Sequence, residues 1–274
     1  MPELPEVETI RRQLDSDLKG FTILKVTTDW AKSFRPSFET VAKTITGKKI
    51  IGVDRQAKLL IFQLTGGFKI LFHLKLTGRL FVRPMGFTSD DYTRSTFFLK
   101  KGRMEKELRF TDARKFGFVR LIEDETEMAK LLEEYGPEPF KDLTLEKFTA
   151  LVKKSPQPVK TVLLDQKKIS GVGNIYANDA LWQAKINPKK PAKTLTTGNI
   201  HTLYLAILSV LKKGLKYGGA SDQWYRQAHG EEGKYQEHFL TYGRTGLPCS
   251  RCQTLIKRSV IGGRGTFYCP RCQV

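Results

Sequence analysis

Four cysteines, all within the last 26 residues, place the strongest constraint on what this chain can fold into. They form two pairs with two residues between the members of each pair, Cys249–Cys252 and Cys269–Cys272. Each pair can place two thiolates on one tight turn, and the glycines between the pairs allow the chain to reverse. The pattern predicts a β-hairpin closed by one structural Zn²⁺ with four cysteine ligands. Two disulfides or a redox dithiol would need an oxidising compartment or a thioredoxin-like context, which the sequence does not show.

The surplus of positive charge indicates a polyanionic partner. The 274 residues include 47 Lys and Arg against 28 Asp and Glu, a formal net charge of +19. Nucleic acid is the favoured partner, because neutralised phosphates release condensed counterions; an anionic membrane surface and a merely solubilising charge are the alternatives. Residues 151–274 hold 20 basic and 6 acidic side chains, whereas residues 1–150 hold 27 and 22. The second half is therefore expected to supply most of the affinity.

The sequence predicts no membrane span and no secretion signal. No stretch is long and apolar enough for a spanning helix, and the first residues are acidic where a signal peptide would be basic and then apolar. With 40% hydrophobic residues the chain can build ordinary cores. We expect a cytoplasmic, folded protein.

Hydrophobic periodicity predicts an N-terminal part made mainly of strands. Apolar residues recur at helical spacing from Val7 to Leu18, which predicts a helix that ends at Gly20. Between Phe21 and Ile122, short β-branched and aromatic runs predict an antiparallel β-sandwich with a hairpin turn at Gly66-Gly67. The predicted strands are 22–28, 49–53, 59–64, 68–74, 79–82, 96–99 and 116–122.

Beyond the acidic run at 123–127 the pattern becomes helical, which makes the fold class α+β. Helices are predicted at 145–153, 159–164, 175–183 and 198–216, and the Gly-Pro-Glu-Pro run at 136–139 indicates a domain junction. The predicted domains are a β-sandwich at 1–130, a helical domain at 131–238 and the cysteine hairpin at 239–274.

Pro2 gives the N-terminus a possible chemistry of its own. A residue this small after Met1 usually permits removal of the methionine, and the chain then begins with a secondary amine. Such an amine has a reference pKa of about 7.7–8.0, against about 10.4 for lysine, so a sizeable fraction is unprotonated near neutral pH. It can attack an electrophilic carbon and form an iminium, with Glu3 adjacent for proton transfer. A proline near the start of a helix is also a structural device, so the dipeptide alone leaves both interpretations open.

Eight spaced motifs resemble the bacterial formamidopyrimidine-DNA glycosylase family over essentially the whole chain. They are MPELPEVET at 1–9, AKLL at 57–60, HL and TG within 73–78, DARKFG at 112–117, GPEP at 136–139, GVGNIY at 171–176, YGRTG at 242–246 and GRGTFYCPRC at 263–272. The resemblance implies an N-terminal β-sandwich that bears the catalytic terminus, a helix–two-turn–helix domain and a zinc-finger hairpin. It also implies a monomeric repair enzyme that removes oxidised purines from double-stranded DNA and cleaves the strand at abasic sites.

By this resemblance the catalytic residues are Pro2, Glu3, Lys58 and Arg264. Pro2 attacks C1′ of the damaged nucleotide, expels the base and forms a Schiff base, while Glu3 protonates the sugar ring oxygen. β-Elimination and then δ-elimination follow. Lys58 holds a phosphate beside the lesion and assists proton transfer. Arg264, which is flanked by glycines that allow close backbone approach, contacts a phosphate.

The resemblance also assigns DNA-contact residues. Asn174 follows glycines at a predicted helix start, where backbone N–H groups favour anions, although an ordinary N-cap asparagine is the alternative. Tyr242 adds another phosphate contact. Leu76, Arg114 and Phe116 match the side chains that fill the stack when a base leaves the duplex, with leucine where the family has methionine.

Two segments depart from the family pattern where the base is recognised. Residues 86–94 lack the basic, histidine-containing stretch that the family usually carries, and residues 218–233 contain Trp224, Tyr225 and His229. The catalytic residues are retained while the base-recognition segments are altered. Removal of a ring-opened purine or another oxidised base is therefore a firmer expectation than removal of 8-oxoguanine.

Three alternatives remain. An endonuclease VIII-like enzyme for oxidised pyrimidines shares the fold and the nucleophile, but Leu4 and the run Asn174–Tyr176 disfavour it. A catalytically silent protein that binds damaged DNA would not need Pro2, Glu3 and Lys58 together. An RNA-binding zinc-ribbon protein would be expected to carry a base-stacking motif.

Overall fold

The computed structural model describes residues 1–88 and 90–274; Ser89, part of the altered segment 86–94, lies outside the described residues. The chain forms two compact units. The first unit comprises Met1–Leu132 and Tyr217–Lys234, and the second comprises Glu133–Lys216 and Tyr235–Val274. The predicted domains, with boundaries at 130 and 238, are each continuous in sequence. In the structure, residues 217–234 pack with the first unit instead of the second.

The first unit is a β-sandwich with an N-terminal helix, which confirms the predicted architecture. Its elements are α1 (Leu4–Leu18), β1 (Thr22–Thr28), β2 (Phe34–Arg35), α2 (Phe38–Ile45), β3 (Ile50–Gln56), β4 (Leu59–Leu64), β5 (Lys69–His73), β6 (Gly78–Pro84), β7 (Thr93–Lys101), β8 (Met104–Asp112), β9 (Phe118–Ile122) and α3 (Glu125–Leu132). One sheet has the strand order β1-β7-β8-β6 and the other the order β2-β9-β5-β4-β3. All pairings are antiparallel except the short parallel contact of β2 with β9.

The core of the first unit lies between these two sheets. Phe72 of β5 packs against Phe97 of β7 and Phe110 of β8, with ring centroids 5.4 and 5.9 Å apart. The apolar face of α1 joins the same cluster from Val7 to Leu18, and each of these side chains removes apolar surface from water. The helix is therefore anchored along its length, and its N-terminal end is held in a defined place.

Four elements of the first unit are missing from the sequence-based prediction, namely β2, α2, β8 and α3. Residues 38–45 form the helix α2, which Ser37 caps by accepting the N–H of Thr40 at 3.2 Å. Residues 104–112 form the strand β8, in which the exposed Met104 is followed by the three charged residues Glu105, Lys106 and Glu107. The alternation of apolar residues appears only in its second half, so the sequence pattern is too short to reveal the strand.

The second unit is helical and ends in a hairpin. Its elements are α4 (Leu145–Lys153), α5 (Val159–Leu164), α6 (Asn174–Gln183), α7 (Thr197–Lys216), β10 (Lys257–Ile261) and β11 (Arg264–Tyr268). The four helices lie within one residue of their predicted ranges. Gly262 and Gly263 form the two-residue turn of the hairpin with φ of +56° and +70°, a backbone that glycine adopts without strain. Across the described parts of both units, no helix has the length and apolar character needed to span a bilayer.

Glu8 fastens α1 to the sandwich through three arginines. Its Oε1 accepts hydrogen bonds from Arg11 and Arg12, each at 2.8 Å, and its Oε2 accepts one from Arg55 of β3 at 3.0 Å. Burial acts to raise the pKa of Glu8, but the three arginines outweigh it and lower the pKa from 4.5 to about 2. The cluster therefore favours the ionised carboxylate in the folded state.

Glu8→Gln should remove a pH-dependent part of the stability. The folded pKa, about 2, lies below the ordinary value of 4.5, so the contribution is full above that value and is lost as the pH falls towards 2. At pH 7 we expect the substitution to lower the free energy of unfolding by about 1–2 kcal/mol after solvent screening. Urea denaturation at several pH values measures this difference.

The control is Glu39→Gln, which removes the same charge from an exposed position of α2. A difference between wild type and Glu8→Gln that stays constant from pH 7 to pH 2 would contradict the assignment.

Candidate functional site

The N-terminal end of α1 brings Pro2 and Glu3 together in a buried, hydrogen-bonded arrangement. Pro2 is buried and Glu3 is 3% exposed. Glu3 and Glu6 form a capping box, in which the Glu3 side chain accepts the N–H of Glu6 and Glu6 Oε2 accepts the N–H of Glu3 at 2.8 Å. These bonds fix the backbone that carries the predicted nucleophile and the predicted proton donor.

Glu6 also connects this terminus to the segment 217–234 of the same unit. Its Oε1 accepts the N–H of Ala220 at 2.8 Å, and the residue is 1% exposed. A side chain at Gly219 would have its Cβ 2.8 Å from Cγ of Glu6, so this approach requires glycine. Sequence reasoning assigned no role to Glu6, although its spacing of three residues from Glu3 is the signature of a capping box.

Lys58 lies in the two-residue turn between β3 and β4. Ala57 adopts the left-handed φ of +53°, and its carbonyl accepts a hydrogen bond from Arg55 at 2.9 Å. Lys58 is 4% exposed, whereas a lysine in a turn is ordinarily solvated. Burial lowers the pKa of the neighbouring His73 to about 3, and the charges of Lys75, Lys58 and Arg35 add to this effect. His73 is thus neutral at physiological pH, and its Nδ1 accepts the N–H of Lys75 at 3.1 Å.

The three residues predicted to fill the base stack lie in two loops of the first unit. Leu76 follows β5 and is half-buried, while Arg114 and Phe116 follow β8 and are exposed. The Arg114 guanidinium lies 4.7 Å from the centre of the Phe116 ring, a cation–π contact. An exposed aromatic ring braced by a cation is suited to contact with a partner rather than to packing in the core.

Asp112 holds both of these loops. It is fully buried, and its carboxylate accepts the N–H of Arg114 at 3.2 Å, of Phe116 at 2.9 Å and of Gly117 at 2.8 Å. The hydroxyl of Thr77, next to Leu76, donates to the same carboxylate. One acidic side chain therefore links the turn that carries Leu76 to the loop that carries the other two residues. Sequence reasoning missed the roles of Asp112 and Thr77, and the contact between them joins positions 35 residues apart.

In the second unit, Asn174 contacts the hairpin that carries Arg264. Asn174 is the first residue of α6 and Gly173 is the N-cap, so the alternative of an N-cap asparagine is wrong. Its Nδ2 donates to the carbonyl of Gly265 at 3.1 Å. Arg264 begins β11 directly after the glycine turn and is exposed. The structure thus brings two predicted phosphate contacts to one end of the hairpin.

Lys160 of α5 fixes the same part of the hairpin from within the core. It is fully buried, and its Nζ donates to the carbonyl of Gly265 and to Oγ1 of Thr266, each at 2.8 Å, and to Oδ1 of Asn178 at 3.3 Å. Asn178 in turn accepts the N–H of Phe267 at 2.8 Å. These contacts orient the strand that bears Arg264.

Asp179 positions the segment that carries Tyr242. It is fully buried, and its Oδ1 accepts the N–H of Leu240 at 3.1 Å, of Thr241 at 2.9 Å and of Tyr242 at 3.3 Å. Burial raises the pKa of Asp179, and these hydrogen bonds oppose that shift. The Tyr242 ring packs edge-on against Phe267 of β11 with centroids 5.2 Å apart. Tyr242 therefore belongs to the same surface as the hairpin.

The four cysteines converge as the sequence predicts. Their sulfur atoms all lie within 4.8 Å of one another, with separations of 3.9 Å for Cys249–Cys272, 3.5 Å for Cys252–Cys269 and 3.3 Å for Cys252–Cys272. A tetrahedral thiolate site with metal–sulfur bonds of about 2.3 Å requires sulfur separations of about 3.8 Å, so the set fits a bound metal ion. Trp182 of α6 donates its indole N–H to Cys249 Sγ at 3.3 Å, which attaches the site to the helical core.

Comparison with known proteins agrees with this geometry. Residues 1–119 match the formamidopyrimidine-DNA glycosylase N-terminal domain, residues 135–225 the formamidopyrimidine-DNA glycosylase H2TH domain, and residues 246–274 a zinc finger found in FPG and IleRS. The chain is 41% identical to a formamidopyrimidine-DNA glycosylase of Chloroflexus aurantiacus over 100% of its own length and 98% of the relative's. A relative of the same name in Lactiplantibacillus plantarum is 38% identical, with 98% of each chain covered.

Solved structures with the same fold contain damaged DNA. A mutant Lactococcus lactis FPG in complex with DNA containing Fapy-dG matches with a TM-score of 0.93 and 35% identity over 99% of both chains. A complex of the Lactococcus lactis Fpg with abasic-site DNA matches with a TM-score of 0.92 and 36% identity, also over 99% of both chains. A third, of the wild-type Lactococcus lactis FPG with DNA containing an oxidised pyrimidine, has a TM-score of 0.91 and 35% identity over 99% of both chains.

Asp112→Asn should loosen both loops that Asp112 holds. The amide keeps one acceptor oxygen but presents an N–H₂ group to backbone N–H donors, which leaves buried donors unsatisfied. We expect the free energy of unfolding to fall by about 2–4 kcal/mol. Urea denaturation measures the change, and an unaltered midpoint and slope would contradict the role.

Thr77 provides a matched pair for the same test. Thr77→Ser keeps the hydroxyl donor and should stay near wild type, whereas Thr77→Val removes it and should cost about 1–2 kcal/mol.

Proposed function

Because the chain belongs to the formamidopyrimidine-DNA glycosylase family, we propose that it removes oxidised purines from double-stranded DNA and cleaves the resulting abasic site. The observation that carries the proposal is the capped N-terminus of α1, where Pro2 and Glu3 are buried beside Glu6. The presence of Pro2, Glu3 and Lys58 together favours catalysis over the alternative of silent DNA binding. The names of the full-length relatives favour it over an endonuclease VIII-like enzyme.

Pro2 is the proposed nucleophile. Once Met1, which is 45% exposed, is removed, the Pro2 nitrogen is a secondary amine whose lone pair attacks C1′ of the damaged nucleotide. As the bond from C1′ to the base breaks, the base leaves with the electron pair of that bond and takes up the proton that the Pro2 nitrogen releases. Glu3 donates a proton to the sugar ring oxygen, which opens the ring and leaves an iminium between C1′ and Pro2. Loss of the 3′ phosphate and then of the 5′ phosphate by β- and δ-elimination leaves a one-nucleotide gap.

Lys58 and Arg264 are proposed to serve the reaction as cations. The burial of Lys58 on the first unit supports a role beside the reacting centre, where it holds a phosphate and assists proton transfer. The exposed Arg264 is presented to a phosphate by the glycine turn. An arginine suits such a contact, because its planar guanidinium matches phosphate oxygens in two places.

The remaining DNA contacts follow the two surfaces described above. On the second unit, Asn174 and Tyr242 are proposed to bind phosphates. Asn174 donates to the carbonyl of Gly265, next to Arg264, and the Tyr242 ring packs on Phe267 of the same strand β11. On the first unit, Leu76, Arg114 and Phe116 are proposed to fill the stack after the damaged base leaves the duplex. The shared anchor at Asp112 supports the idea that these three act as one group.

The substrates of the relatives guide the choice of lesion. Solved relatives hold DNA that contains Fapy-dG, an abasic site or an oxidised pyrimidine. A ring-opened purine is the preferred substrate that we propose for this chain, with 8-oxoguanine as the second. The monomeric state and the cytoplasmic, nucleoid-associated location stay predictions.

One structural Zn²⁺ is the proposed metal. Cys249, Cys252, Cys269 and Cys272 supply four thiolates, which select Zn²⁺ among the common divalent ions and leave no open coordination position. The ion would hold together a hairpin too small to have a core of its own and so keep Arg264 in place.

Borohydride should trap the protein covalently on duplex DNA that contains a formamidopyrimidine or an abasic site. Pro2→Gly should lower the trapped fraction by at least about tenfold, because the secondary amine is lost. Glu3→Gln should lower base release by about 10²–10⁴-fold, because the ring oxygen loses its proton donor. Denaturing gels measure both, and intact mass verifies that Met1 has been removed.

Pro156→Gly, at an exposed position of the second unit, is the control for the loss of a proline. Wild-type protein that lacks Met1 and binds damaged DNA but forms no adduct and no nick would refute the enzymatic proposal.

Substitution of the metal by Co²⁺ should report the ligand set without reference to activity. A tetrahedral site with four thiolates gives intense charge-transfer bands and d–d bands, and Cys249→Ser should weaken or remove them. Wild type should contain one zinc ion per chain by elemental analysis, and removal of the ion should weaken DNA binding. Ser250→Ala, between the first two ligands, is the control; a metal-free wild type with an intact hairpin would refute the site.

A further inference from the structure

Trp224 and Tyr92 join the two segments that depart from the family pattern. Trp224 lies in loop 217–234 and Tyr92 in segment 86–94, and their rings meet edge-to-face with centroids 6.1 Å apart at an angle of 70°. Both rings are partly exposed, Trp224 by 36% and Tyr92 by 49%. The guanidinium of Arg79 in β6 lies 5.8 Å from the centre of the Trp224 ring. The two segments that depart from the family pattern, which are far apart in the sequence, are therefore in contact in the structure.

Arg83 of β6 makes a second link between the same segments. Its Nη2 donates to Oδ1 of Asp90 at 2.9 Å, and its Nη1 donates to the carbonyl of His229 at 2.7 Å. Asp90 is also fixed by Arg109 of β8 at 3.2 Å. The side chains of Arg83 and Asp90 are each only 12% exposed, so their ion pair is largely shielded from solvent.

The backbone at Tyr92 holds its ring in place. Its φ of +60° lies in the left-handed region, which disfavours a residue as large as tyrosine. The Tyr92 carbonyl accepts the N–H of Asp112 at 3.0 Å. Asp112 also accepts hydrogen bonds from the loops of Leu76 and Phe116. Tyr92 is therefore bonded to the same residue of β8 that holds those two loops.

Loop 217–234 reaches from this contact to the catalytic terminus. Ala220 donates to Glu6, which forms the capping box with Glu3, and Trp224 follows four residues later. The loop is closed on itself by Ser221, whose hydroxyl donates to the carbonyl of Tyr225 and accepts the N–H of Gly233, each at 2.9 Å. Its beginning thus touches the reacting end of α1, and its tip touches Tyr92.

We propose that Trp224 and Tyr92 are specificity-determining residues that hold loop 217–234 against the damaged base during excision. We call this contact, with Arg79, the aromatic clasp. The inference rests on the proposed function. It assigns recognition of the damaged base to the clasp, because segments 86–94 and 218–233 depart from the family pattern there. An edge-to-face pair supported by a cation is strong enough to bias a loop and weak enough to open for a substrate.

The clasp should matter for base release and not for cleavage of an abasic site. A damaged base has to be enclosed and oriented before the bond to C1′ breaks. An abasic sugar offers no base to enclose, and its reaction needs only Pro2, Glu3 and the phosphate contacts. The ratio of the two rates therefore isolates the clasp from the catalytic residues.

Trp224→Ala and Tyr92→Ala should each lower the single-turnover rate of formamidopyrimidine release by about three- to tenfold, the loss expected for one aromatic contact with its cation. Cleavage of abasic DNA should stay within about twofold of wild type. The double variant should be no slower than the slower single variant, because either substitution already breaks the contact. Gel assays with the two substrates measure all of these rates.

Trp224→Phe and Tyr92→Phe keep aromatic rings and should restore most of the base release. Phe140→Ala removes another exposed ring, from the second unit, and should leave both rates unchanged. Equal losses with both substrates, an unchanged rate of base release in the alanine variants, or multiplied losses in the double variant would each overturn the proposal.

Hydrogen exchange of the free protein separates the clasp from the catalytic proposal. Amides in 218–227 should exchange faster in Tyr92→Ala than in wild type and in Tyr92→Phe, whatever the activity. If wild type forms no adduct, the proposed function fails. Unchanged exchange in Tyr92→Ala refutes the clasp even in an active enzyme.

Discussion

The hydrogen bonds of the Glu6 carboxylate are the interaction on which the N-terminal end of α1 depends. One oxygen completes the capping box with Glu3 and the other accepts the N–H of Ala220, and the residue is 1% exposed. A buried carboxylate is tolerated only when its oxygens are satisfied, and these two backbone N–H groups supply one hydrogen bond to each oxygen of Glu6. The hydrogen bond to Ala220 joins positions 214 residues apart. This one carboxylate therefore fixes the N-terminus that bears Pro2 relative to loop 217–234.

Asp112 and Asp179 repeat the same device at other places. Each is fully buried and gathers three backbone N–H groups from an irregular segment, together with one hydroxyl. Residues that contact a ligand tend to lie on loops, and a loop that has to be rigid needs acceptors for N–H groups that no strand or helix satisfies. Burial alone would raise the pKa of Asp179, and the donors counteract that shift. Acidic side chains of a basic protein thus shape the surfaces on which its cations act.

Local signals predicted most elements, and long-range contacts account for what was missed. The cysteine site follows from ligands that are close in sequence, and all four helices of the second unit are recognised from helical spacing, even α5 with only six residues. The helix 38–45 was missed because its aromatic and β-branched residues are typical of strands, and the strand 104–112 was missed because its first half is mostly charged. The return of residues 217–234 to the first unit depends on contacts to Glu6 and Arg83, which no local pattern reveals. Asp112 combines both kinds of contact: three of its donors lie within five residues of it, and only the hydroxyl of Thr77 comes from a distant part of the chain.

The ion pairs explain why the positive charge of the two units differs in effect. In the first unit many basic side chains are used internally: Arg11, Arg12 and Arg55 surround Glu8, while Arg83 and Arg109 share Asp90. The segment from Thr241 to Val274 contains no carboxylate side chain, so its cations cannot be neutralised from within. Arg244 and Arg251 donate to backbone carbonyls, and Lys257, Arg258 and Arg264 are exposed on the two hairpin strands. Such charge attracts phosphates without regard to sequence or lesion. Our proposal therefore assigns discrimination between lesions to the first unit, where the aromatic clasp and the Glu6 carboxylate contact the same loop.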